Sequence, residues 1–336
     1  MPSPPSASVH PKRSTSGVLA ATLANFAIQD WGALAFHAYM TTRVLLAPDS
    51  PDATIARRFS AVLLLITVTA LALTRGELFK SQRARALVYR IGLFAPMPGS
   101  YFALKHLLPA LQPHLLDEAL HDLDVLVLGQ TPSVWLAQFN TPPVVEWFSF
   151  FYYSYFWLLA LVLLPSLFLD HGRRFLELML GGFIVCACAH VGYTLVPGAG
   201  PHAAIHFAEP IHGGFWWGQV ERTVAAAGAQ FDIFPSLHTG YPAFFAIHFF
   251  LNRRERPYRY TWPILTFFSL NIMVATLLLR WHWAIDVGAG LTLAFVAQRV
   301  AHHLSARELA RGADGDPRQP VWEPLGPTSG RAKALG

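Results

Sequence analysis

The sequence predicts an all-α fold: a polytopic transmembrane helical bundle of about eight spans. Three observations point there. Of 336 residues, 53% are hydrophobic and only 13% are charged, against about 25% charged in an ordinary soluble domain. Apolar runs of about 20 residues, the length of helix that crosses a bilayer, recur along the chain. Basic residues gather in the short links between alternate runs, the pattern that sets membrane topology. A soluble reading would require nearly every helix to be buried on all sides.

Residues 1–16, "MPSPPSASVHPKRSTS", are rich in Pro and Ser and are expected to be a disordered cytoplasmic terminus. The apolar stretch from Gly17 to Ala47 follows Lys12 and Arg13, as in a signal peptide. It contains Asn25, Gln29 and Asp30 and has no short, clean apolar centre, so it reads as a retained helix. Expected spans are 17–46, 58–74 and 87–108, forming an N-terminal membrane segment over 17–110. Five more follow at 144–169, 175–196, 237–251, 261–279 and 282–303. Span 237–251 is short and span 282–303 opens on polar residues, so both are expected to start at the interface. The link 109–143 is bracketed by Pro109, Pro113, Pro142 and Pro143. Within it "LLDEALHDLDVLVLG" is apolar at helical spacing, and "TPSVWLAQF" reads as a short helix capped by Thr131 with Pro132 in its first turn. These segments are expected either as amphipathic helices on the outer membrane surface or as a lid without a substrate role. Residues 304–336 form a polar tail, Pro/Gly-rich from Gly312, expected to be disordered and cytoplasmic.

Charge orients the bundle. Arg75, Lys80, Arg83, Arg85 and Arg90 crowd one link, Arg173 and Arg174 a second, and Arg253, Arg254, Arg256 and Arg259 a third. Arg299, Arg307 and Arg311 lie at or beyond the last span. With eight spans all of these fall on one side, which the positive-inside rule makes cytoplasmic. The opposite links are poor in Lys and Arg, and 109–143 carries Asp117, Glu118, Asp122 and Asp124 instead. Arg43, Arg57 and Arg58 are the exceptions. The net charge of +5 is explained by topology and does not point to nucleic acid. Cys186 and Cys188 lie within an apolar run and form no metal motif. They read as small buried hydrophobes.

Two polar clusters fall at the outer face. "FPSLHTG" sets Ser236 and His238 at the mouth of one span, and "RWHWAIDVGAG" sets Arg280, His282 and Asp286 at the mouth of another. His282 and Asp286 are spaced i,i+4, on one helix face. The carboxylate can hold Nδ1–H and free Nε2 as nucleophile or base. Helix N-termini, a Ser hydroxyl and an Arg together suit an anion. Two histidines can then divide phosphoryl transfer, one attacking phosphorus and one protonating the leaving oxygen. A metal site of His238, His282 and Asp286 is the competing reading, and the adjacent Ser and Arg fit an oxyanion better.

"FPSLHTG" followed by "HWAIDVGAG" resembles the second and third motifs of the type 2 phosphatidic acid phosphatase superfamily. The Pro-Ser-Leu-His form resembles its inositolphosphotransferase branch, which includes the inositol phosphorylceramide synthases. "GYTLVPGAGP" at 192–201, and Asp124 with "LVLGQTP", look like further segments of that branch. The resemblance implies a catalytic domain over 111–303 with the phosphatase and vanadium haloperoxidase-like core. It implies His282 as nucleophile, Asp286 as its orienting carboxylate, His238 as acid, Ser236 as phosphate ligand, and no metal or other cofactor. Two departures stand out: no Lys-x6-Arg-Pro motif occurs in 180–201, and Thr276 stands where the phosphatases have an Arg. Arg280 is the expected substitute, with Arg222, His190, His202, His206 and His212 as further candidates.

The expected function is an integral membrane phosphotransferase. It moves an inositol-phosphate-like headgroup between lipids through a phosphohistidine-type intermediate at the non-cytoplasmic face of a bacterial inner membrane. Its expected partners are a headgroup donor and an acceptor lipid. A lipid or polyprenyl phosphate or diphosphate phosphatase is the alternative of the same chemistry. A transporter or scaffold that keeps the fold is the alternative without it, and Asn25, Gln29 and Asp30 then mark either a transport path or helix glue.

Overall fold

A computed structural model describes residues 15–111, 114–169, 172–227, 229–310, 322 and 325. The expected disordered termini therefore lie mostly outside the described residues, apart from residues 15, 16, 304–310, 322 and 325. Those that are described are α-helical, with short links and no strand. The helices are α1 (Thr15–Ala24), α2 (Ile28–Leu45), α3 (Pro51–Arg75), α4 (Gln82–Phe94), α5 (Pro96–Ala110), α6 (Asp117–Leu128), α7 (Pro132–Leu136), α8 (Pro142–Leu169) and α9 (Gly172–Leu195). They continue with α10 (Pro201–Ala204), α11 (Phe215–Ala227), α12 (Leu237–Leu251), α13 (Tyr258–Leu278) and α14 (Ala284–Ala310).

The chain is an integral membrane helical bundle, but helix length alone does not return eight spans. Five helices among the described residues are long and apolar enough to cross: α3, α8 to Phe168, α9, α13 and α14. Expected span 17–46 is broken at 25–27 into α1 and α2. There the Asn25 amide donates to the Arg75 carbonyl at 2.9 Å, and the Ala27 N–H donates to Asp30 at 2.8 Å. Expected span 87–108 is split at Ala95, because Pro96 and Pro98 remove successive helix donors at the start of α5. Helix α12 has 15 residues, about 22 Å at 1.5 Å per residue. It is too short to cross a hydrocarbon core of about 30 Å by itself. Helix α14 runs on to Ala310, past the expected boundary at 303, and Thr15 and Ser16 already belong to α1.

Helix α9 is the most enclosed of the five, packed by α14, α12, α5 and α2. Gly181 permits this: a Cβ there would stand 2.2 Å from the Phe244 ring of α12, so only glycine allows the two helices to approach. The N-terminal helices belong to the same core, since buried Phe36, Met40 and Leu104 share a cluster with Phe175, Val185 and Phe244. The Tyr39 hydroxyl lies 2.7 Å from the Thr194 hydroxyl, and Arg43 donates to the Thr194 carbonyl at 2.9 Å. Arg57 donates to the Val44 and Ala47 carbonyls and to Asp49. Two of the three arginines that broke the charge asymmetry thus satisfy orphan carbonyls at helix ends.

At the other end of the bundle, Asn25, Gln29 and Asp30 are tied into a buried network. Asp30 accepts from Arg75 at 2.7 Å and from the Tyr89 hydroxyl at 2.5 Å. Gln29 donates to the Tyr89 hydroxyl at 3.2 Å. Glu308 of α14 stands 3.7 Å from Arg75 and accepts from the Trp322 indole at 3.3 Å. These polar residues join α2, α3, α4 and α14. Cys186 is buried and Cys188 exposed, both as free thiols.

Candidate active site

The two expected clusters meet. The His238 and His282 ring centroids are 6.0 Å apart, and both rings line one cavity of about 640 Å³. Asp286, one turn into α14, is fully buried. Its Oδ2 lies 3.4 Å from His282 Nδ1, a long contact, and accepts the Trp283 N–H at 3.0 Å. Oδ1 of the same carboxylate has no partner. His238 stacks on Tyr152 with centroids 4.3 Å apart and planes 23° apart, and leans on Tyr155 at 4.3 Å. Its Nε2 is buried and unpartnered. The ring is therefore fixed by two aromatic faces while a polar atom remains free for a ligand.

Long-range contacts hold the helix mouths. Ser236 N-caps α12, its Oγ accepting the Thr239 N–H at 3.3 Å. The Ser236 N–H donates to the Asp286 carbonyl at 3.1 Å. Gly290 makes this approach possible, since a Cβ there would lie 2.5 Å from the Ser236 carbonyl oxygen. The mouth of α14 is not open to an anion, contrary to the expectation of two exposed helix ends. Asp124 of α6 accepts the Ala284 and Ile285 N–H groups at 3.0 and 2.9 Å. Asp117 accepts the Trp283 indole at 3.0 Å and the Ala199 and Gly200 N–H groups at 2.8 Å each. So α6 is docked on the bundle as a clasp. Burial raises the Asp124 carboxyl above its ordinary value, against the two N–H groups that favour the carboxylate.

Arg280 is near in sequence but turned elsewhere. Its φ of 65° is a left-handed conformation rarely adopted outside glycine. Its guanidinium donates to the Glu209 carbonyl at 2.9 Å and lies over the Phe207 ring at 3.8 Å. Neither Arg280 nor Ser236 lines the cavity. Of the substitute cations, His202 lines it, and burial lowers the basicity of that ring. His190 is buried in the core, 2.7 Å from the Ser100 hydroxyl, His212 pairs with Glu209 at 3.1 Å, and Arg222 is exposed.

The cavity also holds groups that sequence reasoning missed. Asp232 lines it, half-buried, as does Tyr101 of α5. Burial raises the Asp232 carboxyl, opposed by the nearby Tyr101 hydroxyl and His282. Tyr152 and Tyr155 were visible only as an i,i+3 pair inside the aromatic run "FFYYSYFW". Glu146 of α8 accepts the Gly214, Trp216 and Trp217 N–H groups at 2.8 to 3.0 Å, and so caps α11. Lys105 of α5 donates to the Ala226 carbonyl at the far end of α11 at 2.6 Å. Helix α11 is thereby strapped across one wall of the cavity. Among the described residues no group of three or more His, Cys, Asp or Glu is arranged to hold a metal ion.

A family model described as the PAP2 superfamily matches residues 118–300, more than half of the chain. No curated protein and no solved structure matches it.

Proposed function

The chain belongs to the PAP2 superfamily, and on that premise we propose that it is a membrane phosphotransferase that works through His282. One observation carries the reading: His238 and His282 face a common cavity with ring centroids 6.0 Å apart, and Asp286 stands behind His282 Nδ1. Asp286 holds the tautomer in which Nε2 carries the lone pair. That lone pair attacks phosphorus, the phosphorus–oxygen bond to the leaving group breaks, and protonated His238 gives its proton to the departing oxygen. An acceptor hydroxyl then attacks phosphorus, the phosphorus–nitrogen bond breaks, and His238 takes the hydroxyl proton. Asp117 and Asp124 hold the mouth of α14, which fixes His282 and Asp286 in mutual register. The Ser236 hydroxyl caps α12 with its oxygen, and although the residue does not line the cavity we assign its hydrogen to a phosphate oxygen.

Charge favours transfer of a phosphodiester-linked headgroup, inositol-phosphate-like, over hydrolysis of a phosphomonoester. Among the described residues no Lys or Arg lines the cavity. A monoester dianion needs more fixed positive charge than a diester monoanion does. The orientation we favour sets the site on the non-cytoplasmic face of a bacterial inner membrane. It rests on the basic links, which lie at the end of the bundle opposite the site.

The test is turnover of radiolabelled lipid phosphodiesters and phosphomonoesters by the full chain in detergent, with acid-labile, base-stable label trapped on the enzyme. Label on His282 and its absence in His282→Ala are expected. Undiminished turnover by His282→Ala would end the reading, and monoester hydrolysis outrunning diester transfer would move it to the phosphatase alternative.

A further inference from the structure

Resting on the function proposed above, we propose that Tyr152 and Tyr155 are positioning residues that make His238 a working acid. Their ring faces hold the imidazole and stabilise the imidazolium that protonates the leaving oxygen. The two histidines are supported unequally. His282 has a carboxylate behind it, with Asp286 Oδ2 3.4 Å from its Nδ1. His238 has none at its Nε2, which is buried without a hydrogen-bond partner. Asp232 lines the same cavity but does not bond to that atom. The ring opposite, His282 with centroids 6.0 Å apart, acts as a neutral nucleophile and brings no negative charge. A cation taken out of water is costly unless something compensates it, so an imidazolium here needs another source of stabilisation.

The π faces of the two tyrosines supply it. The Tyr152 centroid lies 4.3 Å from that of His238 with planes 23° apart, and the Tyr155 centroid lies 4.3 Å away with planes 49° apart. Both fall inside the roughly 6 Å over which an aromatic face attracts a cation, an attraction that strengthens out of water. Both tyrosines are buried. Their i,i+3 spacing on α8 sets the two rings on one helix face. Tyr152 also stacks on Trp281, with centroids 6.2 Å apart and planes 29° apart, and Trp281 directly precedes His282. One ring therefore spans from the acid's motif to the nucleophile's. In the first step His282 Nε2 bonds to phosphorus, the phosphorus–oxygen bond breaks, and His238 passes its proton to that oxygen and ends neutral. An alkoxide leaves only with that proton, whereas p-nitrophenolate is stable as an anion and leaves without it. The tyrosines thus set the rate for alkoxide leaving groups and not for nitrophenolate.

The test follows the rate at which label is trapped on His282, per folded molecule of the full chain in detergent. One probe is ³²P-labelled bacterial phospholipid, whose phosphodiesters expel alkoxides. The other is ³²P-hexadecyl p-nitrophenyl phosphodiester. Tyr152→Leu and Tyr155→Leu each remove one π face and keep an apolar side chain. They are expected to slow labelling by phospholipid at least about tenfold and labelling by the nitrophenyl ester less than about twofold. Tyr152→Phe and Tyr155→Phe keep the face and are expected to stay within about twofold of the native chain with both probes. The two Leu variants are independent, so if one fails to fold the other decides. An equal fall with both probes would make the rings structural only. Unchanged rates in both Leu variants would make them idle, and Phe variants as slow as the Leu variants would move the role to the hydroxyls. Each of these overturns the proposal. In the control His238→Ala, equal slowing with both probes would remove the acid that the rings are held to serve. Absence of any His282 label in the native chain with both probes would instead sink the parent function.

Discussion

The bundle has a buried polar cluster near each end, and they are built to opposite rules. Around Asp30 both carboxylate oxygens have partners, Tyr89 on one and Arg75 and the Ala27 N–H on the other, and of the named members of that network only Gln29 Oε1 is left buried without one. Around His282 the accounts are open, with Asp286 Oδ1 and His238 Nε2 buried and unpartnered beside a cavity of about 640 Å³. Both clusters are ionisable groups within a membrane protein, which by itself marks each as a functional candidate. The difference is satisfaction. A closed network fixes helices to one another, whereas an open one beside a cavity has capacity left for a ligand. Asn25, Gln29 and Asp30 thus join α2 to α3 and α4 through their hydrogen bonds.

Removing the proposed nucleophile tests the open cluster most severely. His282→Ala is expected to lower turnover at least about a thousandfold, with little change in thermal unfolding. A large loss of stability in that variant would mean that the outer cluster also closes the fold, and the contrast would fail.

The counterpart change is Asp30→Ala. It leaves Arg75 buried with Glu308 at 3.7 Å as its remaining ionic contact. Breaking a buried pair costs about 3–5 kcal/mol, so the unfolding midpoint is expected to fall strongly. Turnover per folded molecule should stay within about twofold. An active-site defect at native stability would show that the inner network serves catalysis after all.

Asp124→Asn probes the boundary between the two kinds of cluster. The carboxylate accepts two N–H groups at the mouth of α14, and Asn keeps one such acceptor. The expected cost is about 1.5–3 kcal/mol, the worth of a hydrogen bond to a charged group. Because Asp286 lies in the first turn of α14 and His282 just ahead of it, kcat should fall about tenfold with KM little changed. A change in KM alone would mean that α6 touches substrate instead of steadying the helix.

Much of this contrast was legible in the sequence, and its limits are physical. His238, His282 and Asp286 were readable because each lies in a short motif, and the His–Asp spacing alone puts two side chains on one helix face. The closure of the other cluster was not readable, because the partners of Asp30 come from Arg75, Tyr89 and, through Arg75, Glu308. The same long-range pairing broke span 17–46 in two, where an apolar count ran straight through. The placement of Arg280 was not readable for a local reason: its backbone is left-handed and its side chain meets Glu209 and Phe207, and spacing carries no such information. The N–H groups of α14 misled for a distant one, since Asp124 lies 160 residues away in the chain.

The smallest expected effect separates two duties of one hydroxyl. The Ser236 oxygen caps α12 through the Thr239 N–H, and the proposed role in phosphate binding falls to its hydrogen. Ser236→Ala removes both, with an expected cost of about 1 kcal/mol in stability and about tenfold in kcat/KM, the worth of one hydrogen bond. Ser236→Asn supplies an equally good cap without an O–H at that position. Its stability is expected to return to the native value while kcat/KM stays depressed. If activity returned together with stability, the hydroxyl would act on His238 only through the helix it caps. Ser236 would then belong with the closed cluster, as a residue that shapes the site without touching what binds there.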